Sequence, residues 1–305
     1  MIKHLCLSGA GPNGLIQLGA ILEYEKQGLL DPFKIETVYA CSAGALIGVM
    51  LALHISLESA RDYLVSRPWS KLIKFDLVDL SSQGGLFDCS IIKEMMAPLL
   101  LANDISLSIT FQEAKSLFNV DLHIFATDLE SFGSVDFNAA TFPDMPIVTA
   151  AMLSSAITPL FTVGEYNGVN YIDGGFSNNF PLTDMLKSNS IVSNEVLSLN
   201  MICTSATYNN IDNLFDKFTY VFFKMLMAVS KYELNHETGT QCDHYISFAS
   251  HSVLSKEIWD IFLYSEPKRA LLVEKGVDLA KEHIARWRVK TTNSTHGSQN
   301  SQNST

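Results

Sequence analysis

Val38-Tyr39-Ala40-Cys41-Ser42-Ala43-Gly44-Ala45-Leu46 changes character halfway along. Up to Cys41, β-branched and aromatic residues read as a strand; Ser42 then stands among small residues, and a helical run follows. A serine on a sharp strand-to-helix turn needs small neighbours, because strand and helix approach closely there. Upstream, Ser8-Gly9-Ala10-Gly11-Pro12-Asn13-Gly14 is a glycine-rich turn after the strand that opens the chain. Its backbone N–H groups can face a developing oxyanion. The spacing predicts strand 2–8, helix 14–28, strand 36–41 and helix 43–54. This β-α-β-α opening implies an α/β fold, a parallel sheet covered by helices.

The third informative stretch lies far downstream, at Tyr171-Ile172-Asp173-Gly174-Gly175-Phe176-Ser177-Asn178-Asn179-Phe180-Pro181-Leu182. A hairpin precedes it, with Asn167-Gly168 favouring a tight type I′ turn between Phe161–Tyr166 and Val169–Ile172. Asp173 therefore stands where a strand stops, and the two glycines after it let the backbone come close to another segment. Taken singly, a small-x-Ser-x-Gly stretch or an Asp-Gly-Gly is most often an ordinary turn. The ordered set of three turns points to acyl transfer.

At these residues the chain resembles the patatin-like phospholipases. Gly9-Ala10-Gly11-Pro12-Asn13-Gly14 matches their oxyanion loop, Ala40-Cys41-Ser42-Ala43-Gly44 their serine elbow and Asp173-Gly174-Gly175 their late acidic turn. Gly84-Gly85-Leu86-Phe87-Asp88 and the run Ala151 to Phe161 are also similar, and the resemblance fades after Leu186. It implies a three-layer α/β/α fold with a central, mainly parallel sheet, and a Ser/Asp dyad acting on lipid esters without a histidine. Ser42 becomes the nucleophile, Asp173 the base, and Ala10 and Gly11, with Gly9, the oxyanion donors. Gly14, Gly44, Gly174 and Gly175 support these turns. Two residues depart from the pattern: Ala40 stands for the first elbow glycine, and Asn13 for the family's basic residue. The activity implied is that of a carboxylic ester hydrolase on phospholipids or acylglycerols, with no metal or cofactor. The alternative is a lipid-binding or regulatory protein of the same fold, silenced by the change at Asn13.

The chemistry has a physical basis apart from the family. A serine hydroxyl is a poor nucleophile at neutral pH and needs a positioned base. A carboxylate within about 2.6–3.2 Å can serve, although an ordinary aspartate, with a pKa near about 4, is a weak one. Two rival readings are set against this. Gly9-Ala10-Gly11-Pro12-Asn13-Gly14 also spells a dinucleotide fingerprint, but that motif expects an acid at the end of the second strand, and here the only acid, Glu36, is at its start. An α/β-hydrolase triad would recruit His244, which follows Ser42 and Asp173 in the right order. That fold places its serine after more strands, so His244 reads as a strand histidine with a structural hydrogen bond. The other histidines, His4, His54 and His123 among them, show no metal-ligand spacing.

The remaining pattern fits one large domain over 1–290 and a disordered polar tail over 291–305. Further helices are expected at 56–66, 90–101, 110–118, 145–154, 211–234 and 267–288, and strands at 121–127, 133–137, 195–203 and 243–249. Asp88 is expected to cap the helix after it, and Ser154-Ser155 to pack and hydrogen-bond near the site. The apolar face of 211–234 reads as core, with an acyl tunnel or membrane contact as the sharper reading. At 305 residues, 47% of them hydrophobic and 17% charged, with a mean hydropathy of +0.16, the chain suggests a very apolar interior or a lipid-facing surface. A net charge of −11 argues against nucleic acid and against electrostatic recruitment to anionic membranes. Five unpatterned cysteines and an apolar N-terminal stretch broken by Gly9, Gly11 and Pro12 favour a reducing, cytoplasmic setting. Lipid is the expected partner, with peripheral contact at lipid surfaces, and the oligomeric state is left open.

Overall fold

Alternation of side chains along the opening strands decides which residues face which layer. In the computed structural model, which describes residues 1–73, 85–187, 191–203, 242–250 and 256–300 with isolated positions between 217 and 225, strands β1 (His4–Leu7) and β2 (Thr37–Cys41) are almost wholly buried. Leu5, Leu7, Val38 and Ala40 join the main core on one face, while Cys6, Tyr39 and Cys41 join a second core on the other. Strands buried on both faces belong to parallel sheets covered on both sides. The main core is built with helices α1 (Gly14–Lys26) and α2 (Ala43–Ala52). Helices α3 (Leu57–Ser66), α4 (Ile91–Leu101), α5 (Phe111–Phe118) and α6 (Ile147–Ser154) extend this layer. Phe180 and the short helix α7 (Leu182–Leu186) cover the opposite face. The result is the expected three-layer α/β/α arrangement.

The other strands are β3 (Asp121–Asp128), β4 (Ser134–Phe137), β5 (Gly164–Tyr166), β6 (Val169–Asp173), β7 (Val196–Cys203) and β8 (His244–Ser250). Hydrogen-bonded neighbours run β5-β6-β3-β2-β1-β7-β8, with β4 also pairing β3. The strands β1, β2, β3, β7 and β8 are mutually parallel; β4 and β6 pair antiparallel with β3, and β5 with β6. One detail of register positions the site. Since β4 pairs along Ile124–Thr127, β2, at Asp121–Phe125, and β6, at Ala126–Asp128, must share the other edge of β3 end to end. Cys41 lies opposite Phe125 and Asp173 opposite Ala126, the next residue.

Helices α8 (Lys256–Tyr264) and α9 (Glu266–Asn300) complete the described chain. Neither α7 nor α8 is anticipated by the sequence pattern, and most of the helix expected at 211–234 lies outside the described residues. The tail requires a correction. Helix α9 crosses the boundary expected at Thr291 and runs to Asn300. Extending a formed helix needs only propagation, without a new nucleus, and the Thr291 and Thr292 hydroxyls donate to carbonyls one turn back, including that of Arg288. The cap is also different: Asp88 accepts from the Ser90 N–H, while Ser90 is the N-cap of α4. The hairpin strand begins at Gly164 rather than Phe161, because Phe161 is drawn into a parallel bridge with Phe87. Its turn is as expected, with positive φ at both Asn167 and Gly168.

Candidate active site

Ser42 takes a backbone conformation that few side-chain-bearing residues adopt, φ 52° and ψ −124°, between the end of β2 and the start of α2. Such strain costs of order 1–3 kcal/mol and persists only where the surroundings enforce it. Here they do. The Ser42 N–H donates to Ser154 Oγ at 2.8 Å, and the same hydroxyl donates to the Phe125 carbonyl at 2.5 Å, tying elbow, α6 and β3 together. Gly44 passes so close to β1 that a Cβ would lie 2.6 Å from the Leu7 carbonyl oxygen. The methyl of Ala40, where the family pattern has glycine, faces Gly48 of α2, whose own missing side chain leaves it room.

Asp173 reaches Ser42 because β2 and β6 abut on β3. Its Oδ2 accepts from Ser42 Oγ at 2.6 Å and its Oδ1 from the Gly175 N–H at 2.8 Å. The backbone is held too: the Asp173 N–H donates to the Ala156 carbonyl at 3.0 Å, and the Asp173 carbonyl accepts from Thr127 Oγ1 at 3.0 Å. Gly174 lies where a Cβ would be 2.2 Å from the Phe125 carbonyl oxygen, so only glycine allows the close approach. Burial pushes the Asp173 carboxyl up to about 6, although its hydrogen bonds with Ser42 and Gly175 pull the other way. The weak base expected from an ordinary aspartate is thereby strengthened, because a conjugate acid near 6 takes up a proton more readily at neutral pH.

The first loop is pinned beside Ser42 and Asp173. Ser8 Oγ accepts from the Met201 N–H at 2.8 Å, and Gln17 Nε2 donates to the Ser8 carbonyl at 2.9 Å. The Gly9 N–H donates to the Asn179 carbonyl at 3.0 Å, and Asn179 Nδ2 returns to the Gly9 carbonyl at 3.4 Å. Gly9 is thus already engaged and is not a free oxyanion donor. Gly11, at φ 52°, and Gly14 line a cavity with Ser42. Asn13 is buried elsewhere, its amide 3.9 Å from the sulfur of Met201. In the sequence Asn179 is only one residue of the pattern after Asp173; its latch across 170 residues becomes visible when the loops meet.

The cavity, of about 100 Å³, is lined by Leu15, Met50, Met95, Phe161, Trp259 and Phe262 among others, and no charged side chain among the described residues faces it. His244 is far away. It begins β8, level through β7 and β1 with Val38, four residues before Ser42 and three strands across. At about 3.3 Å per residue and about 4.8 Å per strand, no triad can form. Its Nδ1 instead pairs with the Tyr24 hydroxyl at 3.1 Å, and burial lowers the imidazole to about 4, with the nearby His283 adding to the effect.

Comparison with known proteins identifies the family. The profile described as patatin-like phospholipase matches residues 5–186. A probable lipid hydrolase, 463L of Invertebrate iridescent virus 6, is 30% identical over 197 residues, covering 61% of this chain and 63% of that protein. The uncharacterized protein R571 of Acanthamoeba polyphaga mimivirus is 26% identical over 185 residues, covering 60% and 61%. Both matches therefore span less than two thirds of the viral relatives' length. Among solved structures, VipD from Legionella pneumophila superposes with a TM-score of 0.64 over 93% of this chain and 67% of its own, at 14% identity, a likeness of fold. With the family profile matched from Leu5 to Leu186, well over half of its length, the chain belongs to the patatin-like phospholipases.

Proposed function

We propose that the chain is a serine lipid acyl hydrolase, cleaving fatty-acyl esters of phospholipids or acylglycerols through an acyl-enzyme. The observation that carries this reading is the 2.6 Å hydrogen bond from Ser42 Oγ to a buried carboxylate, beside an apolar cavity. Ser42 Oγ attacks the ester carbonyl carbon while its proton passes to Asp173 Oδ2. The carbonyl oxygen becomes negative and is received by the N–H groups of Ala10 and Gly11; losing one such donor typically costs about 3–4 kcal/mol. The C–O bond to the alcohol then breaks, and Asp173 returns the proton to the departing oxygen. In the second half, water gives a proton to Asp173 and attacks the acyl carbon; collapse returns that proton to Ser42 Oγ and frees the fatty acid.

Contact with a lipid surface is part of the proposal. Leu129 and Phe132, 40% and 55% exposed, lie on the loop leaving β3 at the end where Asp173 pairs, and the Phe132 ring packs edge-on against Phe176. A chain of net charge −11 suits a zwitterionic or neutral surface better than an anionic one. No helix among the described residues is long and apolar enough to cross a membrane.

A second reading, a lipid-binding protein of weak or no activity, is favoured by one observation: Asn13 turns to Met201 and brings no cation to the cavity. Fatty-acid release from mixed phospholipid and neutral-lipid micelles separates the two. Activity and fluorophosphonate labelling that disappear in Ser42→Ala, with activity lost in Asp173→Asn and kept in His244→Ala, support the hydrolase. A folded wild-type protein that neither releases fatty acid nor takes the label supports the binder.

A further inference from the structure

Ser155 carries a hydroxyl that the fold buries without a partner. The residue is 6% exposed, and its Oγ makes no hydrogen bond to any described residue. A buried donor left unsatisfied is destabilising, so one that persists calls for an explanation. The segment around it supplies a direction. Ser154 holds the elbow through the Ser42 N–H, and the Ala156 carbonyl holds the Asp173 N–H. Between them, Ser155 lines the same cavity as Ser42 and Gly11. Ser42 and Ser155 bring the only hydroxyls to that lining among the described residues; most of the rest is aliphatic, methionine or aromatic.

We propose that Ser155 is a substrate-contacting residue whose hydroxyl hydrogen-bonds an oxygen of the ester bound at Ser42. This rests on the hydrolase reading above. Ser154 is rigidly engaged, so the same backbone that fixes the elbow also fixes where the Ser155 hydroxyl stands relative to the attacking oxygen. An ester is the polar part of an otherwise apolar acyl group, and inside this cavity it meets one unengaged hydroxyl. The hydroxyl is retained at a cost to the free protein because it is satisfied only when substrate is present, the pattern expected where activity and stability conflict.

The test compares wild type, Ser155→Ala and Ser155→Thr on p-nitrophenyl butyrate and p-nitrophenyl laurate, with thermal unfolding of each. Ser155→Ala is expected to lose about 10- to 100-fold in kcat/KM, the effect of one buried hydrogen bond. The loss is expected to be equal for both acyl lengths, with Tm unchanged or raised, and Ser155→Thr is expected to recover most of the rate. A kcat/KM of Ser155→Ala within twofold of wild type overturns the proposal. So does a loss confined to the laurate, which marks a residue that merely packs the acyl chain, or a Tm that falls with activity in both variants, which marks a structural residue. If wild type shows no turnover that depends on Ser42, the hydrolase reading itself fails and takes this proposal with it; an active wild type with an indifferent Ser155→Ala sinks this proposal alone.

Discussion

At the scale of single residues, the site depends on a few groups whose properties come from burial. Asp173 is 3% exposed, and its carboxyl sits at about 6 against an unfolded value of 3.8. Since the proposed mechanism needs Asp173 ionised, kcat/KM is expected to rise with pH through about 6 and level off above it, measurable with a soluble ester between pH 4.5 and 8. The same shift acts on stability with a definite sign. A carboxyl raised on folding has its full favourable effect below the unfolded value, and that effect is lost as pH rises through 6. Asp173→Asn is therefore expected to be inactive yet more stable than wild type at pH 8 by a few degrees in Tm, with the gap narrowing as pH falls through 6 toward the unfolded value of 3.8; no gap at pH 8 would contradict the raised value. Ser154 acts one step away from the chemistry. Removing its hydroxyl in Ser154→Ala leaves the Ser42 N–H and the Phe125 carbonyl without their shared partner, and each such buried group typically costs about 1–3 kcal/mol. Slower fluorophosphonate labelling of Ser42, by about 10-fold or more, together with a lowered Tm is the expected result. The turns that carry Ser42, Asp173 and the glycines were readable in the sequence, because each follows from local turn chemistry, and the roles proposed for these residues came with the family resemblance. The pKa of Asp173 was not, because desolvation is set by what other segments place around it.

At the scale of elements, the long helix α9 is fastened to α1 by a pair of glycines. A Cβ on Gly276 would lie 1.9 Å from the Ile16 carbonyl oxygen, and one on Gly19 would lie 2.0 Å from that of Val273. The two helices thus touch backbone to backbone, and neither glycine was singled out beforehand, since a glycine inside a helical pattern carries no sign of what it faces. Gly276→Val is expected to destabilise by about 2–3 kcal/mol, read as a lower midpoint in urea unfolding; an unchanged midpoint would mean that this contact is not close. Arg269, buried in α9, donates to the carbonyls of Val65, Phe262 and Arg67, so that α9, α3 and α8 are clamped at one point. Helix α8 in turn brings Trp259 and Phe262 to the cavity. The apolar wall of the site therefore depends on a helix whose place could not be read from its own residues. By contrast, α5 was legible to within one residue of its start: Thr110 and Glu113 form both hydrogen bonds of a capping box, a signal contained within four positions.

At the scale of the whole molecule, charge and exposed apolar surface set what the protein meets. If Leu129 and Phe132 engage lipid, Leu129→Ser with Phe132→Ser should slow turnover on phosphatidylcholine vesicles about 10-fold while leaving a soluble short-chain ester within twofold; equal rates on both substrates would remove the patch from the proposal. Away from the site, His123 is held between two carboxylates, with Nδ1 2.7 Å from Asp136 and Nε2 3.8 Å from Asp121, and stacked on Tyr39. Burial alone would lower its pKa, but the hydrogen bonds and charges of Asp121 and Asp136 raise it to about 9. Its contribution is therefore present in full below the unfolded value of about 6.5 and is lost as pH rises through 9. A Tm deficit in His123→Gln at pH 6 that disappears by pH 10 is the expected signature, and a deficit independent of pH would point to packing instead. His123 offered no hint of this in the sequence, because its partners are a strand neighbour and a residue on β4. The sequence by itself determined the β-α-β-α opening and the three turns, since propensity, periodicity and turn chemistry act between near neighbours, and the motifs on those turns carried the family. Only the tertiary structure decided that β2 and β6 meet end to end on β3, that Gly9 is engaged by Asn179, that burial raises the Asp173 carboxyl and that His244 is out of reach. Those outcomes depend on register and burial between segments far apart in the chain, 170 residues in the case of Gly9 and Asn179, and nothing local in either segment specifies them.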